Sequence, residues 1–86
     1  MPEELVGKVT DYFAKIGVIA LELSATLKVG DKIHIKGHTT DFEQNVDSIQ
    51  IEHKSVPEAG AGASVGIKVK EHCRHNDQVY KVIPDN

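Results

Sequence analysis

The run Lys32-Ile33-His34-Ile35-Lys36 alternates strictly between isoleucine and a basic or imidazole side chain, and it sits between Gly30 and Gly37. A period of two places both isoleucines on one face and the polar groups on the other, the pattern of a half-buried antiparallel strand. Gly30, within Leu27-Lys28-Val29-Gly30-Asp31, marks the preceding turn because glycine takes positive φ without penalty. The pattern recurs along the chain. Val65, Ile67 and Val69 share one face, with Gly66, Lys68 and Lys70 on the other. Gln78 to Ile83 reads as the last strand, stopped by Pro84. Val18 to Leu23 begins with β-branched residues after Gly17 and reads as a strand.

Two segments need a correction to simple alternation. Leu5 to Phe13 puts Val9, Asp11 and Phe13 on one face and Lys8, Thr10 and Tyr12 on the other. Asp11 there, and Glu22 in the next strand, are acids in apolar surroundings, which a register shift at a bulge explains. Phe42 to Ile51 loses its alternation between Val46 and Ile49, so a bend is expected near Asp47-Ser48. Pro57 to Ala63 (PEAGAGA) is a tight loop, since the twenty or so residues after it are too few for a second domain. About six short strands with glycine-bearing turns, and no helix, suggest a sandwich or barrel. The expected fold is all-β: a small, six-stranded, closed antiparallel-type β-barrel occupying residues 1–86 as one domain. Closure would remove the exposed edges of so small a sheet.

Composition narrows the function classes. The chain carries a net charge of −3 with histidines neutral. Nonspecific grip on nucleic acid normally rests on a basic excess, which is lacking, so any RNA contact must come from a local patch or from stacking. MPEELVGK has no basic segment followed by an apolar one, so no signal peptide is expected. The lone Cys73 has no internal partner, which fits a cytoplasmic location.

Four pieces stand in a suggestive order: IGVIALEL, LKVGDKIHIKG, VDSIQIEHK and AGAGASVGIKV. They resemble the second, β-barrel domain of the translational GTPases such as elongation factor Tu, over roughly Val9 to Ile83. NDQVYKVI looks like that domain's final strand, with Asn76 in place of Gly. Similar barrels also occur as accessory domains, including at the end of some collagenase-like peptidases. The resemblance implies a pocket between the turn into a late strand and the end of the V-x-S-I strand. On this chain those positions are Gly62, Ser64 and Gly66, and Glu52, His53 and Lys54. The polar pair that the family usually places before Val/Ile-Gly is here Ala63-Ser64. His53 matches a histidine of the archaeal and eukaryotic form.

The resemblance implies transfer RNA, the ribosome or a translation-related protein as partner. The rival reading is a protein-interaction or oligomerisation barrel without an RNA role. No G-x-x-x-x-G-K-[ST] loop is present, so no nucleotide is expected. Lys68 and Lys70, with His72, would form a positive stripe beside Lys32, His34 and Lys36 if the two strands were neighbours. Outward polarity on a barrel strand explains the same lysines without any ligand. His72, Cys73 and His75 are the one metal-type constellation, but structural zinc takes four ligands and no second pair stands elsewhere. Neither a metal, a cofactor nor a catalytic group is expected, and the chain reads as a non-enzyme. Among the aromatics, Phe42 is the one expected to be exposed.

Overall fold

The structure, a computed structural model, describes residues 3–83. Ten strands lie among the described residues: β1 (Glu3–Phe13), β2 (Val18–Leu23), β3 (Leu27–Lys28), β4 (Lys32–Lys36), β5 (Asp41–Asn45), β6 (Ile49–Ile51), β7 (Lys54–Val56), β8 (Glu58–Ala59), β9 (Ser64–Lys68) and β10 (Gln78–Val82). Eight form one antiparallel sheet in the order β5-β4-β10-β1-β2-β9-β6-β7, and β3 pairs with β8 separately. No helix lies among the described residues, so none is long and apolar enough to cross a membrane. The stop at Pro84 lies outside the described residues.

Alternation explains most of the core. Ile33 and Ile35 of β4 are fully buried, as are Ile19 and Leu21 of β2, while Val65 and Ile67 of β9 are 4% and 1% exposed. Each such side chain contributes about 1.5–3 kcal/mol relative to remaining in water. Both anticipated irregularities are present. The β1–β2 register shifts between Val9 and Asp11, which turns Asp11 out to solvent. The chain breaks between β5 and β6 across Val46 to Ser48. A second shift, between Leu5 and Gly7, buries Val6 as well as Val9.

The expectation of a closed six-stranded barrel is corrected: the large sheet is open, with β5 and β7 at its edges. The reason is the break after Asn45. β6 pairs with β9 through Ile49↔Ile67 and Gln50↔Gly66, whereas β5 pairs only with β4. The two chain segments that a barrel would join therefore diverge from the Ile49–Ile67 pair. The exposed aromatic is also corrected: Phe42 is 8% exposed and packs inward, while Phe13 is 46% exposed beside the β1–β2 turn.

Candidate functional site

Outward-facing residues of β2, β9 and β6 meet where Ala20 pairs with Gly66 and Gly66 with Gln50. A methyl and a hydrogen thus stand side by side on the outer face, and the surface sinks there. A Cβ added at Gly66 would sit 3.5 Å from Val18 Cγ1, an ordinary contact. Neither packing nor backbone conformation demands glycine at this position. What its missing side chain leaves is an open floor.

The depression encloses about 400 Å³. On one side stand Phe13 and Ile16, Ile16 being 64% exposed in the turn after β1. On the other stand Glu52 and His53, the two-residue turn closing the β6–β7 hairpin. Their φ angles, 50° and 67°, are left-handed at both central positions, as a type I′ turn requires. Asn-Gly fills such turns without strain, whereas larger side chains cost energy of order 1 kcal/mol or more each. Glu52 and His53 therefore sit against local preference, at the rim of an apolar groove.

Of the residues singled out from sequence, Glu52, His53, Ser64 and Gly66 line this groove together. Lys54 opens β7 and is exposed. Gly62 lies in the turn before β9 at φ 89°, its N–H donating to Leu23 C=O at 2.8 Å. Lys68 and Lys70 stand elsewhere, against Gln44 and Asp47. Phe13, Ile16, Ala20 and Gln50 were not anticipated. An isoleucine in a turn beside Gly17 was the one available signal.

The positive stripe does not form, because β4 neighbours β5 and β10 while β9 neighbours β2 and β6. The basic side chains of β4 are instead paired with acids. His34 Nδ1 lies 2.6 Å from Glu3 Oε2, and Nε2 is hydrogen-bonded to Asp41 Oδ1. Glu43 Oε2 lies 3.8 Å from Nδ1. Lys36 reaches Glu3 at 3.3 Å and Lys32 reaches Glu43 at 3.2 Å. Two carboxylates on two ring nitrogens suit the imidazolium, which donates from both. Burial works against the charged ring, but the hydrogen bonds to Asp41 and Glu3 outweigh it, so the His34 pKa is raised. The hydrogen bond from His34, with help from Lys36, holds Glu3 below the usual carboxylate value against its desolvation. Glu3, His34 and Glu43 bring three ligand-type atoms within 4.8 Å of one another, but lysine ammoniums already neutralise both glutamates.

Cys73 and His72 are engaged separately. The thiol is buried, donates to Glu71 C=O at 3.6 Å, and is pushed up to about 12 by burial, with Asp77 and Glu71 adding to the shift. His72 turns away to lie against the Tyr12 ring, centroids 4.6 Å apart.

With this geometry in view, relatives are informative. The C-terminal domain of a Geobacillus thermoleovorans protein named as a U32 peptidase superposes with a TM-score of 0.88 at 22% identity, covering 93% of both chains. The fold is the one that domain carries. In sequence, the chain is 42% identical over 76 residues to an uncharacterized protease of Methanocaldococcus jannaschii, covering 87% of this chain and 19% of the relative. It is 40% identical over 78 residues to a collagenase of Porphyromonas gingivalis, covering 88% of this chain and 22% of the relative. The chain thus spans about a fifth of the length of these relatives. No family model matches it.

These relatives overturn the translation-factor reading and the RNA-binding role built on it. They also overturn the reading of the chain as a non-enzyme, since they are named protease and collagenase. The physical reason is that L-K-x-G-D and G-x-V record where turns and strands fall. Domains of similar topology share such punctuation without sharing a ligand.

Proposed function

We propose that this chain is the accessory domain of a U32-type protease and that it holds an extended stretch of the polypeptide substrate in the Gly66 groove. The observation that carries this reading is the groove itself: an apolar floor at Ala20 and Gly66, flanked by exposed Phe13 and Ile16 and by a strained Glu52-His53 turn. Isolated apolar residues on a surface need no explanation, but an apolar depression rimmed by a few polar groups is a common form for a binding site. The main chain and apolar side chains of an unfolded substrate fit such a site, with Glu52 and His53 orienting its polar groups. The relatives' names support a polypeptide as the ligand. A cytoplasmic location belongs to the same proposal and rests on the unpaired Cys73.

Titration of the ¹⁵N-labelled chain with peptides from denatured collagen tests this. The amides of Ala20, Ser64 and Gly66 are expected to shift, and Gly66→Val, which fills the floor, should abolish the shifts with the remaining spectrum native. Shifts produced at these amides by transfer RNA and not by the peptides would overturn the proposal, as would silence toward both.

A further inference from the structure

The gap between β5 and β9 holds a second, independent feature. β9 pairs with β2 on one side as far as Lys68, and Val69 N–H then donates to Gly17 C=O at 2.8 Å. On its other side, β9 pairs with β6 only at Ile67 and Gly66. The backbone of Lys68 to Lys70 therefore faces the gap without a strand beside it. Gln44 fills that role with its side chain. Its amide nitrogen donates to Lys68 C=O at 2.8 Å, and its amide oxygen accepts from Lys70 N–H at 2.9 Å. The same nitrogen lies 3.4 Å from Asn45 C=O on β5.

A primary amide has the donor and acceptor of one peptide unit. Gln44 thus bonds to both banks as one link of an intervening strand would. β5 has its own groups to offer. The bonds Gly37 N–H to Thr40 C=O and Val46 N–H to Asp31 C=O fix the phase of the β4–β5 ladder. With that phase, the N–H and C=O of Asp41, Glu43 and Asn45 point away from β4, toward the open edge.

We propose that this seam is a strand-docking site for an extended, acidic polypeptide segment, which displaces the Gln44 amide and pairs with Lys68 and Lys70 on one bank and β5 on the other. The space beside Gln44 is about 410 Å³, and its charged lining is Lys68 and Lys70 against Asp47, while the β5 acids Asp41 and Glu43 are already paired with His34 and Lys32. That local positive excess, on a chain of net charge −3, selects an acidic occupant. Strand addition at an open edge gives affinity through the main chain and lets flanking side chains select the partner. The site is separate from the Gly66 groove and does not depend on what that groove binds.

The test uses two extended peptides, one alternating valine with glutamate and one alternating valine with lysine, titrated into the ¹⁵N-labelled chain. The acidic peptide should shift the amides of Asn45, Val69 and Lys70 and slow the hydrogen exchange of Lys70. Gln44→Ala removes the competing amide and should tighten binding roughly fivefold. Lys68→Glu with Lys70→Glu changes exposed side chains only and should weaken binding about tenfold or more. Equal binding of the basic peptide, shifts confined to Ala20 and Gly66, or unchanged affinity in the double glutamate variant would each overturn the proposal.

Discussion

At the β5 end of the sheet, His34, Lys32, Lys36, Glu3, Asp41 and Glu43 are tied into one cluster in which every positive group has a carboxylate within reach. At the β6–β7 end, Glu52 and His53 are held in left-handed conformations beside apolar side chains open to water. The first region pairs its charged side chains, while the second carries strain and exposed apolar surface. Unrelieved strain and exposed apolar surface are affordable only where something else compensates, which makes the second region the better candidate for binding. The glycines repeat the contrast. A Cβ on Gly37, at the end of β4, would lie 1.9 Å from Asp77 Oδ1, whereas one on Gly66 meets nothing closer than 3.5 Å.

The largest expected effect exploits those two glycines. Asp77 is 4% exposed, and its other carboxylate oxygen accepts from Arg74 N–H at 2.8 Å, so it cannot swing aside without breaking that turn. Gly37→Ala should therefore cost about 2–3 kcal/mol. Gly66→Ala should stay within about 0.5 kcal/mol. Urea unfolding of both variants measures this, and equal losses would erase the distinction between a glycine kept for packing and one kept for an open surface.

The charge cluster should show itself through pH. The raised His34 pKa means its stabilisation is full below the ordinary histidine value and fades as pH rises through the raised, folded-state value. The lowered Glu3 pKa works in the opposite direction: its stabilisation is present above the ordinary carboxylate range and fades as pH falls through the lowered value. The cluster is thus strongest in the mildly acidic window between the two. There His34→Gln should cost about 1 kcal/mol, a modest figure because Asp41 is 77% exposed and Glu43 41% exposed. That corresponds to roughly 5 °C in melting temperature for a domain of this size. The deficit should shrink toward alkaline pH, and a deficit constant from pH 5 to pH 9 would mean that packing, not charge, is what His34 contributes.

These two regions also differ in how far residue order reveals them. Alternation located β4 and β9, and the misplaced acid Asp11 marked its bulge, because side-chain period is a local property of the backbone. The break at Val46 to Ser48 was visible for the same reason. Whether the sheet closes was not, since closure turns on how two segments more than twenty residues apart diverge and on Gln44 bridging them with its side chain. The partners of His34 lie 7 and 31 positions away, so its outward face read as a basic stripe. Half of the named site residues meet in one groove because the two turns implicated by the resemblance are brought together by β6–β9 pairing. Phe13 and Ile16 come from the other side of β2, and no spacing rule links them to Gly66.

The smallest effect bears most directly on why the β6–β7 turn is built as it is. Replacing Glu52-His53 by Asn-Gly (Glu52→Asn, His53→Gly) installs the dipeptide that a type I′ turn prefers while keeping the Ile51↔Lys54 pairing. Both residues are exposed, so little packing is lost. The relief of two left-handed side chains is partly offset by the greater freedom that glycine adds to the unfolded chain. The net expectation is a gain of about 0.5–1 kcal/mol, read as a higher urea midpoint at unchanged slope. The same variant removes the polar rim of the groove, so peptide binding should weaken as stability rises. A turn that becomes more stable and binds as well as before would show that Glu52 and His53 are not what the strain serves, and would shift the weight of the site to Phe13, Ile16 and the open floor at Gly66.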